Sequence, residues 1–382
     1  MQGAGWGACH LGMPGTLLAE HSSMRAAHAA LLEEGFSMDL HPSRRRLLAR
    51  GAALAGSALA TPHIARAQAM SKLRFALDWA KQGPNAYVTM GHEKGFFREV
   101  GIDATVDRGF GSGRVPTDIA AGAYDMGQAD INPVIKFMAE NPNSGLIVTG
   151  IWGDRSLLCA VTRADGGVRA PKDLEGKTLA APESDAGRQL FPAFARTAGV
   201  DASKVNWLTV SPELREPMLV QRRADGVTGA ITSVGMSLKA LGLDFPQQRI
   251  MYYRDHGLDL LGTCYMTTRA FAERNPEVVR NAQRALFRSL IYANRNREES
   301  IAMLKKVEPL TDVAIETERQ AISMEQQVIS DHVMANGLSN PDPVRFQKAI
   351  EAVESAYGMA PKVKVADIYT DSFLPPLAER RL

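Results

Sequence analysis

The sequence predicts an α/β protein of two lobes, each a mostly parallel sheet flanked by helices, with a helical C-terminal region. Three observations carry this. Short apolar runs alternate with longer stretches of helical spacing from about residue 73 to residue 268. The alternation falls into two sets, joined by strands at 157–163 and 262–268 that act as two crossovers. Beyond Arg269 the strand pattern stops and helical spacing takes over.

The first set begins with Leu73-Arg74-Phe75-Ala76-Leu77, whose alternation reads as a strand ending at Asp78-Trp79. A helix is expected from Asn85 to Glu93, stopped by Gly95. Ile102–Val106 is a strand, Gly109–Gly113 a glycine-rich loop and Val115–Ala121 a helix. Tyr124–Gly127 is a short strand, Pro133–Glu140 a helix, and Leu146–Ile151 and Leu157–Thr162 are strands.

The second set repeats the order. Thr178–Ala181, Val205–Val210, Val227–Ile231 and Arg249–Tyr253 read as strands. Helices are expected at Ala186–Ala198, Pro212–Arg222 and Val234–Leu241. Thr263–Thr267 returns as one more strand. Helices then follow at Ala270–Arg274, Glu277–Arg295, Glu298–Lys306, Asp312–Asn336 and Pro343–Tyr357. The expected boundaries are 70–162 plus 263–310 for the first lobe and 163–262 for the second. Residues 311–382 are expected to form a helical segment packed on the first lobe. Open α/β sheets bind ligands beyond the carboxyl ends of their strands, so two facing lobes share one cleft, and hinge closure is its natural motion.

The first 69 residues stand apart. They hold six Lys+Arg, four Asp+Glu, and His10, His21, His28, His41 and His63, against chain totals of 44, 42 and 8. The remainder is charge-balanced and keeps only His92, His256 and His332. Such a body gives no reason to expect nucleic-acid binding, and its few histidines argue against a His-rich metal enzyme.

Ser43-Arg44-Arg45-Arg46-Leu47-Leu48, the uncharged run Gly51–Ala60 and Ala67-Gln68-Ala69 have the layout of an export signal. They supply a basic n-region, an apolar h-region and an A-x-A site. An amphipathic helix or organelle transit peptide is the competing reading. The paired arginines resemble a twin-arginine signal. Cleavage is expected after Ala69. Met38 opens a conventional n-region, so residues 1–37 read as an over-extended N-terminus. After Met70 no apolar run reaches 18 residues, so no membrane insertion is expected.

Three stretches together are similar to one family. They are Gly91-His92-Glu93-Lys94-Gly95-Phe96-Phe97-Arg98-Glu99-Val100-Gly101-Ile102, then Ala121-Gly122-Ala123-Tyr124-Asp125-Met126-Gly127, then Pro171-Lys172-Asp173-Leu174-Glu175-Gly176-Lys177-Thr178. In this order and spacing they resemble the periplasmic substrate-binding proteins of ABC importers. The branch is the one that handles nitrate, sulfonates, taurine and the thiamine pyrimidine precursor. Leu77-Asp78-Trp79 is similar to the pyrimidine-precursor sub-branch. The resemblance covers roughly residues 72–300. It implies a two-lobed type II periplasmic-binding-protein fold and a monomer that captures a small organic solute. Delivery to an inner-membrane permease with its ATPase is implied too, with no cofactor and no catalysis. The alternatives are a pyrimidine-synthase-like enzyme on the same fold or a solute-sensing binding protein.

Candidate ligand-binding residues lie after the strands. Trp79 can stack on a planar ligand, and Asp78 can accept from an amino group. Asn85 and Tyr87 sit at a helix start, Ser112 in the glycine loop, and Gln128 and Asp130 after the third strand. In the second lobe, Glu183 and Ser184 follow a strand. Arg188 lies in the first turn of a helix, where the dipole does not favour it, which suggests an anionic partner or Glu183. Thr232 and Ser233 offer hydroxyls. Trp152 and Asp154 close the cleft from below, while His256 and Asp259 lie in a loop near the second crossover. Trp79, Tyr87 and Asp78 point to a planar amino-bearing heterocycle. Arg188 with Ser184, Thr232 and Ser233 points to a sulfonate or carboxylate. Cys159 and Cys264 fall on the crossover strands, where two buried free thiols are expected over a disulfide. The sequence contains no G-x-x-x-x-G-K-[ST], H-E-x-x-H, C-x-x-C or G-x-S-x-G motif.

Overall fold

The computed structural model describes residues 70–360 and 362–382. Residues 1–69, with the expected over-extended start, leader and cleavage site, lie outside the described residues. The strands are β1 (Ser71–Ala76), β2 (Ile102–Asp107), β3 (Met126–Asp130), β4 (Leu146–Ile151), β5 (Leu158–Arg163), β6 (Thr178–Ala181), β7 (Asn206–Thr209), β8 (Gly226–Ala230), β9 (Gln248–Tyr252) and β10 (Thr263–Thr268).

They form two five-stranded sheets of matching plan, β2-β1-β3-β10-β4 and β7-β6-β8-β5-β9. In each, the central strand pairs in parallel with its β1-type neighbour. The fourth strand runs antiparallel to both of its neighbours. That antiparallel strand is the one that arrives from the other lobe. β5 therefore belongs to the second sheet, and the first lobe's opening segment ends before residue 158 rather than at 162. The crossovers lie side by side, with Ser156 N donating to Leu260 O at 2.9 Å and Gly262 N to Gly153 O at 2.8 Å.

Each sheet buries its apolar positions against its own helices. Phe75, Ile102 and Met126 meet Phe287 and Leu290 of the helix Pro276–Arg295 in the first lobe. Val161, Val227, Leu219 and Val234 pack together in the second. Each such side chain contributes about 1.5–3 kcal/mol. Gly95, at φ +82, joins the helix Ala86–Glu93 to the short helix Phe96–Glu99, in a backbone region that costs other residues more.

Two differences from expectation matter for the site. β3 runs on to Asp130, because the polar side chains of Gln128 and Asp130 are hydrogen-bonded within the protein and can stay buried. The helix expected from Asp312 to Asn336 is broken. Val313–Ser323 ends in a wider turn at Met324–Val328, and a new helix begins at Asp331, capped by Ser330 Oγ. The C-terminal helices also do not pack on the first lobe alone. Pro343–Ala356 lies against both Ile131–Glu140 and Ala186–Thr197, one helix from each lobe, and Val313–Ser323 meets Ile231–Ala240 of the second.

Candidate functional site in the cleft between the lobes

The carboxyl ends of β1, β3, β6 and β8 converge on a cavity between the lobes. Asp78, Trp79, Asn85, Ser112, Asp130, Thr232 and Ser233 line it, as the strand-end argument expects. Trp152, Leu157, Leu158, Asp185, Thr263 and Gln327 complete much of the wall.

A polar network positions the first-lobe face. Gln128 Nε2 donates to Asp78 Oδ1 at 3.0 Å and to Asn85 Oδ1 at 2.6 Å. Its orientation is set from behind by Tyr87, whose hydroxyl donates to Gln128 Oε1 at 2.7 Å and lies 2.7 Å from that of Tyr265. Ser112 Oγ is shared, donating to Asp78 Oδ2 at 3.4 Å and accepting from Asp130 N at 3.1 Å. Asp130 caps the helix Ile131–Glu140, accepting from Asn132 N and Nδ2 at 3.0 and 2.7 Å. Burial raises both carboxyls above the ordinary range, and pushes Asp130 up to about 7.

The second-lobe face is built around Arg215. Its guanidinium donates to Asp185 Oδ2 (3.0 Å), Glu216 Oε1 (2.7 Å from Nη2), Thr228 O (3.1 Å) and Ser233 Oγ (3.0 Å). Asp185 caps the helix Ala186–Thr197 through Arg188 N at 2.8 Å. Desolvation pushes its carboxyl up against the opposing pull of Arg215.

Contacts cross the cleft directly. Ser184 Oγ donates to Phe110 O at 2.6 Å, and Gly113 N donates to Ser184 O at 2.9 Å. Arg108 Nη2 reaches Glu213 Oε1 at 3.2 Å. Gly111, at φ +128, presses so close to Ser184 that a Cβ would lie 2.4 Å from its carbonyl oxygen. This is a closed arrangement of the lobes.

A family model described as NMT1/THI5 like matches residues 85–300. The chain belongs to this family. Its fold is shared with the alkanesulfonate-binding protein SsuA from Xanthomonas axonopodis pv. citri bound to MOPS. That protein is 17% identical, the match covers 78% of this chain and 98% of that one, and the TM-score is 0.61. The periplasmic nitrate-binding protein NrtA from Synechocystis PCC 6803 is 11% identical over 80% of this chain and 87% of that one, with a TM-score of 0.61. At such identities the likeness is one of fold, the two-lobed type II periplasmic-binding-protein architecture. No curated protein sequence matches the chain.

Several expected site residues stand elsewhere. Tyr87 and Gln128 are fully buried behind Asp78 and do not line the cavity. Ser184 bridges the lobes at the rim, and Glu183 is exposed. Arg188 turns away, donating to Ala181 O and Thr209 Oγ1 at 2.9 Å each and stacking over Trp207. Its place in a first helical turn is met by those internal partners, so no anionic ligand is needed to explain it. His256 packs edge-on against Phe194, and Asp154 and Asp259 both accept from Arg345. Cys159 and Cys264 are free and buried.

Arg215 and Gln327 escaped the sequence reading. Arg215 starts a short helix that reads as an ordinary amphipathic surface element. Gln327 arrives from a turn far along the chain, where its Nε2 donates to Thr263 Oγ1 at 3.1 Å.

Proposed function

We propose that this protein is the periplasmic solute-binding component of an ABC-type importer. It captures a planar, amino-bearing heterocycle between its lobes and presents the closed form to a permease with its ATPase. The observation that carries the ligand class is the cavity lining: Trp79 for stacking, Asp78 and Asp130 as acceptors, and among the lining residues no Lys, Arg or His. Carboxylates accept from amino groups and repel sulfonates and carboxylates. Of the helix N-termini at the cavity, those at Ile131 and Ala186 are already capped by Asp130 and Asp185, whereas the one at Ile231 has no side-chain cap. The second-lobe cation, Arg215, has its donors occupied by protein acceptors.

The leader-like N-terminal sequence supports export, and the closed lobes support capture by hinge motion. The pyrimidine-synthase-like alternative would, by its resemblance, call for a Lys, a His and cysteines at the cavity, and none of the lining residues is of these types. Native mass spectrometry of gently purified protein tests the reading by detecting a bound small molecule. A thermal-shift panel of aminopyrimidines, sulfonates and aromatic carboxylates ranks the classes. A ligand at 100 times its dissociation constant stabilises by about 2.7 kcal/mol. Stabilisation by sulfonates alone overturns the proposed ligand class.

A further inference from the structure

We infer that the ligand is bound as a cation, its positive charge held between Asp78 and Asp130. This rests on the reading of the cleft as the solute site and extends it to the charge of the solute.

The argument is one of unmatched charge. The carboxylates at the cleft are Asp78, Asp130, Asp185, Glu216 and Glu316, and the buried cations beside them are Arg215 and Arg319. Arg215 is taken by Asp185 and Glu216. Arg319 pairs with Glu316 at 3.0 Å and donates to the carbonyls of Thr232 and Ser233. Asp78 and Asp130 are left with neutral donors only, namely Gln128, Ser112 and Asn132. The other titratable groups nearby are the phenols of Tyr87 and Tyr265, the thiol of Cys264 and the carboxylate of Asp185. Among these groups none supplies a positive charge to either carboxylate.

Two ionised carboxylates facing one low-dielectric cavity without a cation are costly; unliganded they hold protons instead, and a ligand that brings a positive charge takes the place of those protons. A neutral amino group offers hydrogen bonds but leaves the charge unmatched. An independent feature of the same cavity also awaits a partner. Trp152 lines it, is 2% exposed, and its indole Nε1 has no acceptor among the described residues. A ligand with one acceptor atom beside its cationic group satisfies both demands.

The test uses three planar probes of nearly equal shape: benzamidinium, neutral benzamide and anionic benzoate, titrated calorimetrically into the purified protein. The expected order is benzamidinium first, benzamide about tenfold or more weaker, and benzoate without binding. Asp78→Asn and Asp130→Asn each remove a charge while keeping shape and, at 130, the helix cap. Each is expected to weaken benzamidinium by about tenfold or more and benzamide by a much smaller factor. Unliganded melting curves confirm that both variants fold. Benzamide or benzoate binding as tightly as benzamidinium overturns the inference, as does undiminished cation binding by both variants. If none of the probes binds and native mass spectrometry finds no captured solute, the reading of the cleft as a solute site itself falls.

Discussion

The Arg215 guanidinium of the second lobe lies over the indole of Trp79 in the first, 4.7 Å from the ring centroid. Arg215 is held in place by Asp185 and Glu216, so it presents a rigid platform. A cation on an aromatic face contributes about 0.5–2 kcal/mol depending on desolvation. The stack therefore joins lobe closure to the position of the residue best suited to contact a planar ligand.

Removing either partner separates these roles. Trp79→Ala is expected to lower affinity for the captured solute by about tenfold or more while leaving the unliganded melting temperature within a few degrees. Arg215→Ala leaves Asp185 and Glu216 buried without their cation and is expected to cost about 3–5 kcal/mol of stability. Chemical denaturation of the two variants distinguishes them, and equal stability losses would contradict the assignment.

Gly111→Ala tests closure. The added Cβ meets Ser184 O at 2.4 Å, across the cleft, on a backbone at φ +128. The variant is expected to keep its folded core but to stay open. Small-angle scattering should show no contraction on adding ligand, and affinity should drop. A normal contraction means the lobes close along another path.

Asp130 makes stability depend on pH in a defined direction. Its folded-state value is raised to about 7, above that of a free carboxyl, by burial. The folded state thus binds more protons than the unfolded one between about pH 4 and about pH 7. The unliganded protein loses stability as pH rises through that window, by at most about 1.4 kcal/mol per pH unit from this group. Asp130→Asn should flatten that slope in melting curves. Benzamidinium keeps its charge across the window, and its affinity should rise with pH as Asp130 ionises.

Arg188→Ala is expected to leave affinity unchanged and to cost about 1 kcal/mol, the worth of its bonds to Ala181 O and Thr209 Oγ1. A loss of ligand binding in this variant would restore the anion reading. The thiols offer a simpler check. Denatured, unreduced protein beginning at Met70 should titrate two free thiols, Cys159 and Cys264. Both should resist modification in the folded state, because burial pushes each well above the ordinary thiol range.

Much of the fold was readable because its signals are local. Leu73-Arg74-Phe75-Ala76 alternates as a strand must, and Gly95 stands where the helix turns. The order of elements then predicts two lobes and one cleft. Strand ends place Asp78, Ser112, Asp130, Thr232 and Ser233 at the cavity. Errors arose where a polar residue had two possible neighbours. Tyr87 looks like a ligand contact by type, yet its hydroxyl is spent on Gln128 and Tyr265. Arg188 looks like an anion site by position, yet its bonds return to the protein.

From residue order alone follow the α/β class, the leader-like N-terminus, the family resemblance and the strand ends that face the cleft. These depend on periodicity, capping and motif spacing, all encoded within a few residues of each other. The charge of the cavity was decided only by tertiary packing. Arg215 and Asp185 are 30 residues apart and meet at 3.0 Å, whereas Asp78 and Asp130 come together at one cavity with no cationic side chain among the described residues that line it. A charged side chain's partner is set by distance in space and by removal from water. Neither is written in the order of residues along the chain.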